Sequence, residues 1–300
     1  MRATLIVNPM ARKASKARSG ETLGEPFHPE EALEREGIQV TVRETAGPAH
    51  ATGLAADAAR EGAEAVILCA GDGTVREAID GLADTGVPLG VIPWGTGNVL
   101  ARHLGLPLDP RRACRAIANA SVREVDLGEA NGKRFVLHAS AGGGAEVVRR
   151  LPPGRKRRWG QPAFVWTALG VVARRMQWDV EVEGDEDAWE GRAWDVIVGN
   201  AAAFAWKLRA TPHALMDDGV LDVCILKGTS PWRLLWTAFK GLFGMPVRAD
   251  EVVTFRSRHV LVRAEPAAPV QADGDVIGET PVEIRVLPRA LRLMVPRTAS

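Results

Sequence analysis

Short apolar runs rich in β-branched residues recur along the first hundred positions, and stretches of helical spacing separate them. Thr4–Val7, Ile38–Val42, Ala65–Ala70 and Val87–Ile92 read as strands. Between them, Pro29–Glu36 and Ala51–Glu61 read as helices, stopped by Gly37 and Gly62. After Ala65–Ala70, the turn Gly71-Asp72-Gly73-Thr74 opens a helix that sets Val75, Ile79 and Leu82 on one face, with Thr74 placed to cap it. The turn Pro93–Asn98 precedes a further helix, Val99–Leu104, stopped by Gly105 and Pro107. This alternation predicts an α/β domain built on a doubly wound parallel sheet.

A helix from Pro110 to about Ala120 closes that pattern. Beyond it Phe135–Ala139, Trp178–Val182, Arg192–Val198, Leu221–Leu226, Val252–Phe255, His259–Val262, Val282–Val286 and Leu291–Val295 are strand-like and separated by turn residues. The acidic stretch Glu183–Asp187 suits a hairpin tip. Two helical segments interrupt the strands, Pro162–Met176 and Pro231–Phe243. The expectation is a mostly antiparallel second domain, a β-sandwich or barrel. Residues 1–126 form the first domain and 127–287 the second, with the tail 288–300 returning to the first.

Composition narrows the function classes. The chain has 300 residues, 46% hydrophobic and 25% charged, enough for two globular domains. A net charge of +1 supplies no general attraction for nucleic acid, so any anion-binding surface is local. The basic segment Met10–Ser19 reads as a solvated surface more readily than as a phosphate loop. Cys69, Cys114 and Cys224 are isolated, without metal spacing, and suit buried thiols in a reducing compartment. The apolar part of the N-terminus is short for a signal peptide, and no run approaches the ~20 apolar residues of a membrane span. A cytoplasmic protein is expected. Nine Trp and no Tyr leave Trp as the main interfacial aromatic residue.

Ligands of such sheets bind beyond the carboxyl ends of the strands. Four strand ends here carry Asn8-Pro9, Thr45, Gly71–Thr74 and Gly95–Gly97. Gly71 and Gly73 leave the backbone open to an anion at a helix N-terminus. A carboxylate at Asp72 would then sit beside phosphate and seek a cation, a hydroxyl or a proton. The turn lacks the third glycine of the dinucleotide fingerprint and the Gly-Lys-Ser/Thr of a Walker loop. Its plain alternative is a tight turn in which Asp72 serves the local backbone. Asp273 and Asp275 follow the apolar run Pro269–Ala272, where a positioned carboxylate could take a proton from a hydroxyl. There the plain alternative is an Asp-Gly-Asp hairpin turn.

Five segments in order resemble the motifs of the diacylglycerol kinase catalytic-domain family, which includes bacterial YegS-like lipid kinases and is related to sphingosine and ceramide kinases. They are Asn8-Pro9; Ala70-Gly-Asp-Gly-Thr74 with Glu77; Pro93-Trp-Gly-Thr-Gly-Asn98 with Ala101-Arg102; Thr211–Asp222; and Gln271–Asp275 with Thr280-Pro281 and Leu287–Leu291. The resemblance implies an NAD kinase-like α/β domain followed by a β-sandwich, and a lipid kinase moving the γ-phosphate of ATP to a diacylglycerol-like hydroxyl with Mg²⁺. It implies nucleotide contacts at Asn8, Pro9, Thr45, Gly71, Asp72, Gly73, Thr74 and Thr96, with Glu77 either joining them or bracing the loop. It also implies a structural Mg²⁺ on Asp218 and the carbonyls of Leu215 and Val220, with Asp126 joined through water. Asp273 is expected as base with Asp275 in support. The implied partner is a lipid at the membrane surface, with no nucleic acid, peripheral contact at the inner face, and a homodimer left open. Arg155–Trp159 and the Trp/Phe face of Pro231–Phe243 could seat the chain on an anionic bilayer, although that helix could equally pack on the sheet. Ala70, Val99 and Asp275 stand where the family pattern has Gly, Asp and Glu, which leaves the acceptor lipid open. The competing functions are a nucleotide-responsive lipid-binding protein without turnover and an NAD kinase.

Overall fold

A computed structural model describes residues 1–10, 27–151, 161–202, 210–228, 230–242 and 251–297. The basic residues from Ala11 onward, the run Arg155–Trp159 and Phe243 lie outside the described residues. The chain divides into two compact units, Met1–Val125 with Arg289–Ser300, and Asp126–Pro288.

Unit 1 alternates strand and helix: β1 (Arg2–Val7), α1 (Pro29–Arg35), β2 (Gln39–Glu44), α2 (His50–Arg60), β3 (Ala65–Ala70), α3 (Asp72–Leu82), β4 (Leu89–Pro93), α4 (Val99–His103) and α5 (Pro110–Ala118). The strands run parallel in the order β2-β1-β3-β4, with Val7 opposite both Glu44 and Cys69. Every residue of β3 is buried, as a central strand covered on both faces requires. On one face Leu5, Leu33, Ile67, Ile92, Ile117 and Met294 share a core. On the other, α2 buries Ala51, Ala55 and Ala58, and its small side chains let α3 come close. A Cβ on Gly81 would stand 2.2 Å from the Thr52 carbonyl, so that crossing requires glycine.

The start of α3 differs from the expectation. Gly71, extended at φ −96 and ψ 174, is the N-cap, and Val75 N–H closes the first turn on the Gly71 carbonyl at 3.1 Å. Thr74 therefore lies inside the helix and caps nothing.

Unit 2 contains β5 (Ser121–Ala130, which begins in unit 1), β6 (Lys133–Phe135), β7 (His138–Gly142), α6 (Gly143–Arg150), α7 (Gln161–Ala173), β8 (Trp178–Glu183), β9 (Ala188–Gly199), β10 (Leu221–Lys227), α8 (Pro231–Leu242), β11 (Val252–Ser257), β12 (His259–Glu265), β13 (Pro269–Ala272) and β14 (Asp275–Glu279). The last strand, β15 (Val282–Val295), pairs antiparallel with β12 through its first residues and meets β4 of unit 1 at Leu293. The pairs β14-β13-β7-β9-β8-β12 are antiparallel, and β9 also pairs with β10. Strand β8 alternates buried and exposed residues, so one face carries the core. Phe135, Val182, Val198, Leu221, Val260 and Ile284 fill that core of a β-sandwich.

Helix α6 was not expected from the sequence. Gly142, at φ +120, turns the chain against β9, where a Cβ would stand 2.9 Å from the Trp194 carbonyl. The Asp195 carboxylate then accepts the Gly144 N–H at 3.0 Å and anchors the helix start. The three cysteines are buried and unbonded to one another, and burial pushes the thiols of Cys114 and Cys224 up to about 12.

Candidate functional site

The β1 and β3 ends mark the switch point of the unit 1 sheet, since β2 lies to one side of β1 and β3 to the other. Asn8 leaves β1 there. Its N–H reaches the Cys69 carbonyl at 3.2 Å, its side-chain amide donates to Thr74 Oγ1 at 2.8 Å, and its Oδ1 accepts from Met10 N–H at 3.0 Å. Pro9 follows, half-buried. Thr45, just beyond β2, is buried and donates its N–H to the Val7 carbonyl at 3.0 Å. The expected strand-end residues of unit 1 thus join one hydrogen-bonded rim.

Two glycine turns meet on that rim. A Cβ on Gly95 would lie 2.6 Å from the Gly71 Cα, so the turns touch backbone to backbone. Asn98, at φ +48, closes the second turn by accepting the Gly95 N–H at 2.8 Å and donating to the Gly95 carbonyl at 3.1 Å. Asp72 bridges the turns, its Oδ1 accepting the Val99 N–H at 2.7 Å while its Oδ2 lies where a Gly97 Cβ would intrude, at 2.7 Å. Asp72 therefore caps α4 from the neighbouring turn, the local-backbone duty weighed above. Ala70 ends β3 without a positive φ, so glycine is not needed there.

Gly73 is different. A Cβ there meets nothing within 4 Å, and the residue is exposed. The first amides of α3, at Asp72, Gly73 and Thr74, have no acceptor within the helix and lie at its positive end. That combination of open backbone and donors suits a phosphate. Thr96 is exposed in the adjoining turn. Glu77 faces elsewhere: its Oε2 accepts the Ala51 N–H at 3.4 Å and its carbonyl the Thr52 hydroxyl at 2.8 Å, so it braces α2.

In unit 2, Asp273 and Gly274 form a two-residue hairpin loop between β13 and β14. Both have positive φ (45 and 84), the requirement of a type I′ turn. Asp273 does more than turn the chain. Its Oδ2 accepts Val136 N–H at 2.7 Å, and its Oδ1 accepts Leu137 and His138 N–H at 3.0 Å each. The main-chain N–H of Asp273 returns to the His138 carbonyl at 3.0 Å. Both carboxylate oxygens thus hold the segment entering β7. Asp275 faces Ala272 across the hairpin, half-buried.

Asp218, expected to hold Mg²⁺, pairs with Arg256, and its Oδ1 accepts the Val220 N–H at 3.3 Å. Arg256 also approaches Asp222 at 3.6 Å, a carboxylate that burial pushes upward and Arg256 draws down. Asp126, buried, accepts the Gly219 N–H directly at 2.7 Å and donates its own N–H to Met216 at 2.6 Å. Leu215 is 55% exposed. Among the described residues no three His, Cys, Asp or Glu side chains converge on a metal position. Oxygen donors are present, but a guanidinium pairs with the Asp218 carboxylate, and backbone N–H groups meet Asp218 Oδ1 and Asp126 Oδ2. With the Arg256 guanidinium on the Asp218 carboxylate, these residues do not fit a dication as arranged.

Some buried polar residues escaped the sequence. Asn200 donates to the Asp126 and Val136 carbonyls at 2.8 and 2.9 Å, tying the Asp126 turn to the segment that Asp273 holds. His138 is buried, and desolvation pulls its imidazole down to about 4. Burial pushes the Asp195 carboxyl well above its usual range. No local motif marks these residues, whereas Asn98 stood in the visible Gly-Thr-Gly-Asn run.

Comparison with known proteins finds a family match for each part of the chain. Residues 2–130 match the model of the diacylglycerol kinase catalytic domain, and residues 138–295 that of the YegS C-terminal NAD kinase beta sandwich-like domain. A diacylglycerol kinase of Mycobacterium tuberculosis (strain H37Rv) is 34% identical over 282 residues, covering 88% of this chain and 87% of the relative. A diacylglycerol kinase of Bacillus subtilis is 27% identical over 99% of this chain and 97% of its own. A probable lipid kinase YegS-like protein of Pseudomonas fluorescens is 30% identical over 89% of each chain. In fold, a crystal structure from Bacillus anthracis superposes at TM-score 0.82 and 24% identity, over 99% of this chain and 97% of that one.

Proposed function

This chain belongs to the diacylglycerol kinase catalytic-domain family, and from that premise we propose that it transfers the γ-phosphate of ATP to the hydroxyl of a diacylglycerol-like lipid. The observation that carries the proposal is the pair of touching glycine turns at the switch point, with the open Gly73 backbone beside the first amides of α3. Phosphoryl transfer asks mainly for positioning and for charge stabilisation, and backbone donors at a helix start supply both. Mg²⁺ would travel with the nucleotide and neutralise its phosphate oxygens.

A lipid hydroxyl is a weak nucleophile and needs a proton acceptor. Asp273 has both carboxylate oxygens engaged by three backbone N–H groups, so we assign the acceptor role to Asp275 and the support role to Asp273. This reverses the order expected from the sequence. In the step, the hydroxyl proton passes to the Asp275 carboxylate, the oxygen bonds to the γ-phosphorus, and the bond to ADP breaks. The acceptor would be reached at the inner face of the membrane.

The test is transfer of labelled γ-phosphate by the purified chain with Mg²⁺ to diacylglycerol, monoacylglycerol, phosphatidylglycerol, sphingosine and ceramide. Transfer to at least one is expected. Silence on all five, with lipid binding that responds to ATP, would instead favour a regulatory protein without turnover. Rapid conversion of NAD to NADP would favour an NAD kinase.

A further inference from the structure

Strand β13 is buried along its whole length, yet one of its four residues is polar. Val270 and Ala272 join the core of the sandwich. Gln271, between them, points to the opposite face by the alternation of a strand, and helix α6 packs against β13, β14 and β7. Only 2% of Gln271 is exposed. A methionine of similar volume would fill that place without burying an amide, which costs free energy unless each polar atom finds a partner.

Both polar atoms of Gln271 find one. Its Oε1 accepts the Gly274 N–H at 2.7 Å, and its Nε2 donates to Ser140 Oγ at 3.1 Å. Ser140 is fully buried and lies opposite Gln271 in the register of β7 and β13. The amide fits only one way round. Gly274 N–H can only donate, so the amide oxygen faces the turn and the nitrogen faces β7. Ser140 thus orients the amide, and the amide orients the peptide between Asp273 and Gly274. That peptide is the one whose flip interconverts the type I′ and type II′ forms of a two-residue hairpin. Asp275, the carboxylate assigned above as proton acceptor, comes next along the chain. Two residues further, Ile277 forms a β-bulge, since Gln271 lies opposite Val276 and Val270 opposite Gly278. The even ladder is broken there, so the turn has the larger share in aiming Asp275.

We propose that Gln271, oriented by Ser140, is a positioning residue for the transfer reaction. It holds the Asp273–Gly274 peptide so that the Asp275 carboxylate leaves the hairpin towards the acceptor hydroxyl. Its action passes through Asp275 and needs no contact with lipid or nucleotide. The inference rests on the proposed phosphoryl transfer and deepens it, adding a residue whose only task is the direction of the base.

The experiment compares the full chain with Gln271→Met, which keeps the volume and removes the acceptor atom. Steady-state transfer is measured with the best acceptor of the five-lipid panel. A fall in kcat of about 10–100-fold is expected, with KM for ATP unchanged. Added to Asp275→Asn, the same substitution should cost no further activity, because the two residues act on one step. Losses that multiply in the double variant overturn the proposal, as does a parental kcat in the single one. If Gln271→Met fails to fold, Ser140→Ala replaces it: the amide loses its orienting partner, so kcat should fall less but again only while Asp275 is present. An unchanged kcat in Ser140→Ala then overturns the proposal. Hydrogen exchange at the Gly274 amide reads the hold on the turn without any substrate. Exchange about tenfold faster in the variant supports the proposal, and equal rates overturn it. A parent that phosphorylates none of the lipids, with Gly274 exchange still dependent on Gln271, sinks the kinase reading and leaves the hold on the turn standing.

Discussion

Asp273 shows how a residue in a motif can hold a fold together. Three N–H groups converge on it from Val136, Leu137 and His138. Asp273→Asn removes the charge from that bundle and should cost about 1–3 kcal/mol of stability. Asp275→Asn should lower kcat by roughly 10²–10⁴, with KM for ATP unchanged. Denaturation curves beside steady-state kinetics check both; full activity in Asp275→Asn would return the base to Asp273. His138 carries a second expectation. Its imidazole ionises near 6.5 when exposed and near 4 when buried here. Between those values the unfolded chain binds a proton that the folded chain does not, so stability is lost as pH falls through that window. The loss approaches about 3 kcal/mol. His138→Gln should flatten the decline, and urea midpoints at pH 7 and pH 5 read it directly.

At the scale of elements, the glycines of the two turns divide into two kinds. Gly95 is required by packing, because a side chain would strike the Gly71 backbone and the Asn98 amide. Gly73 faces open space. Gly95→Ala should therefore destabilise the protein, by about 1–3 kcal/mol. Gly73→Ala should leave the unfolding temperature almost unchanged and still weaken ATP binding, a split visible by calorimetry. Equal loss of stability in both variants would show that Gly73 too is a packing residue. The sequence made the strands and turns of this region legible because β-branched runs and glycine pairs are local signals. It misplaced the start of α3 at Thr74, since the hydroxyl that looked like a cap is taken by Asn8, 66 residues away. Helix α6 was hidden for a similar reason: its anchor, Asp195, arrives from β9.

Across the whole molecule, an alternating half and a strand-rich half could be told apart from periodicity alone. What periodicity could not supply was the company each polar group keeps. The Asp218 turn resembles the cation site of the family, yet Arg256, 38 residues on in β11, pairs with its carboxylate. Chelation of the nucleotide-free protein should accordingly leave its thermal unfolding unmoved. A rise in unfolding temperature with Mg²⁺ that Asp218→Asn abolishes would restore the ion.

The return of β15 to the first unit bears on how the chain is made. Leu291 and Leu293 are buried, Ala290 accepts the Asp84 N–H at 2.8 Å, and Arg292 pairs with Glu124. On the ribosome, the sheet begun at Arg2 waits for a last strand that emerges only after all of unit 2. The first unit is thus first to be synthesised and last to be finished, and a nascent chain stopped at Pro288 would expose the flank of β4 to any passing strand.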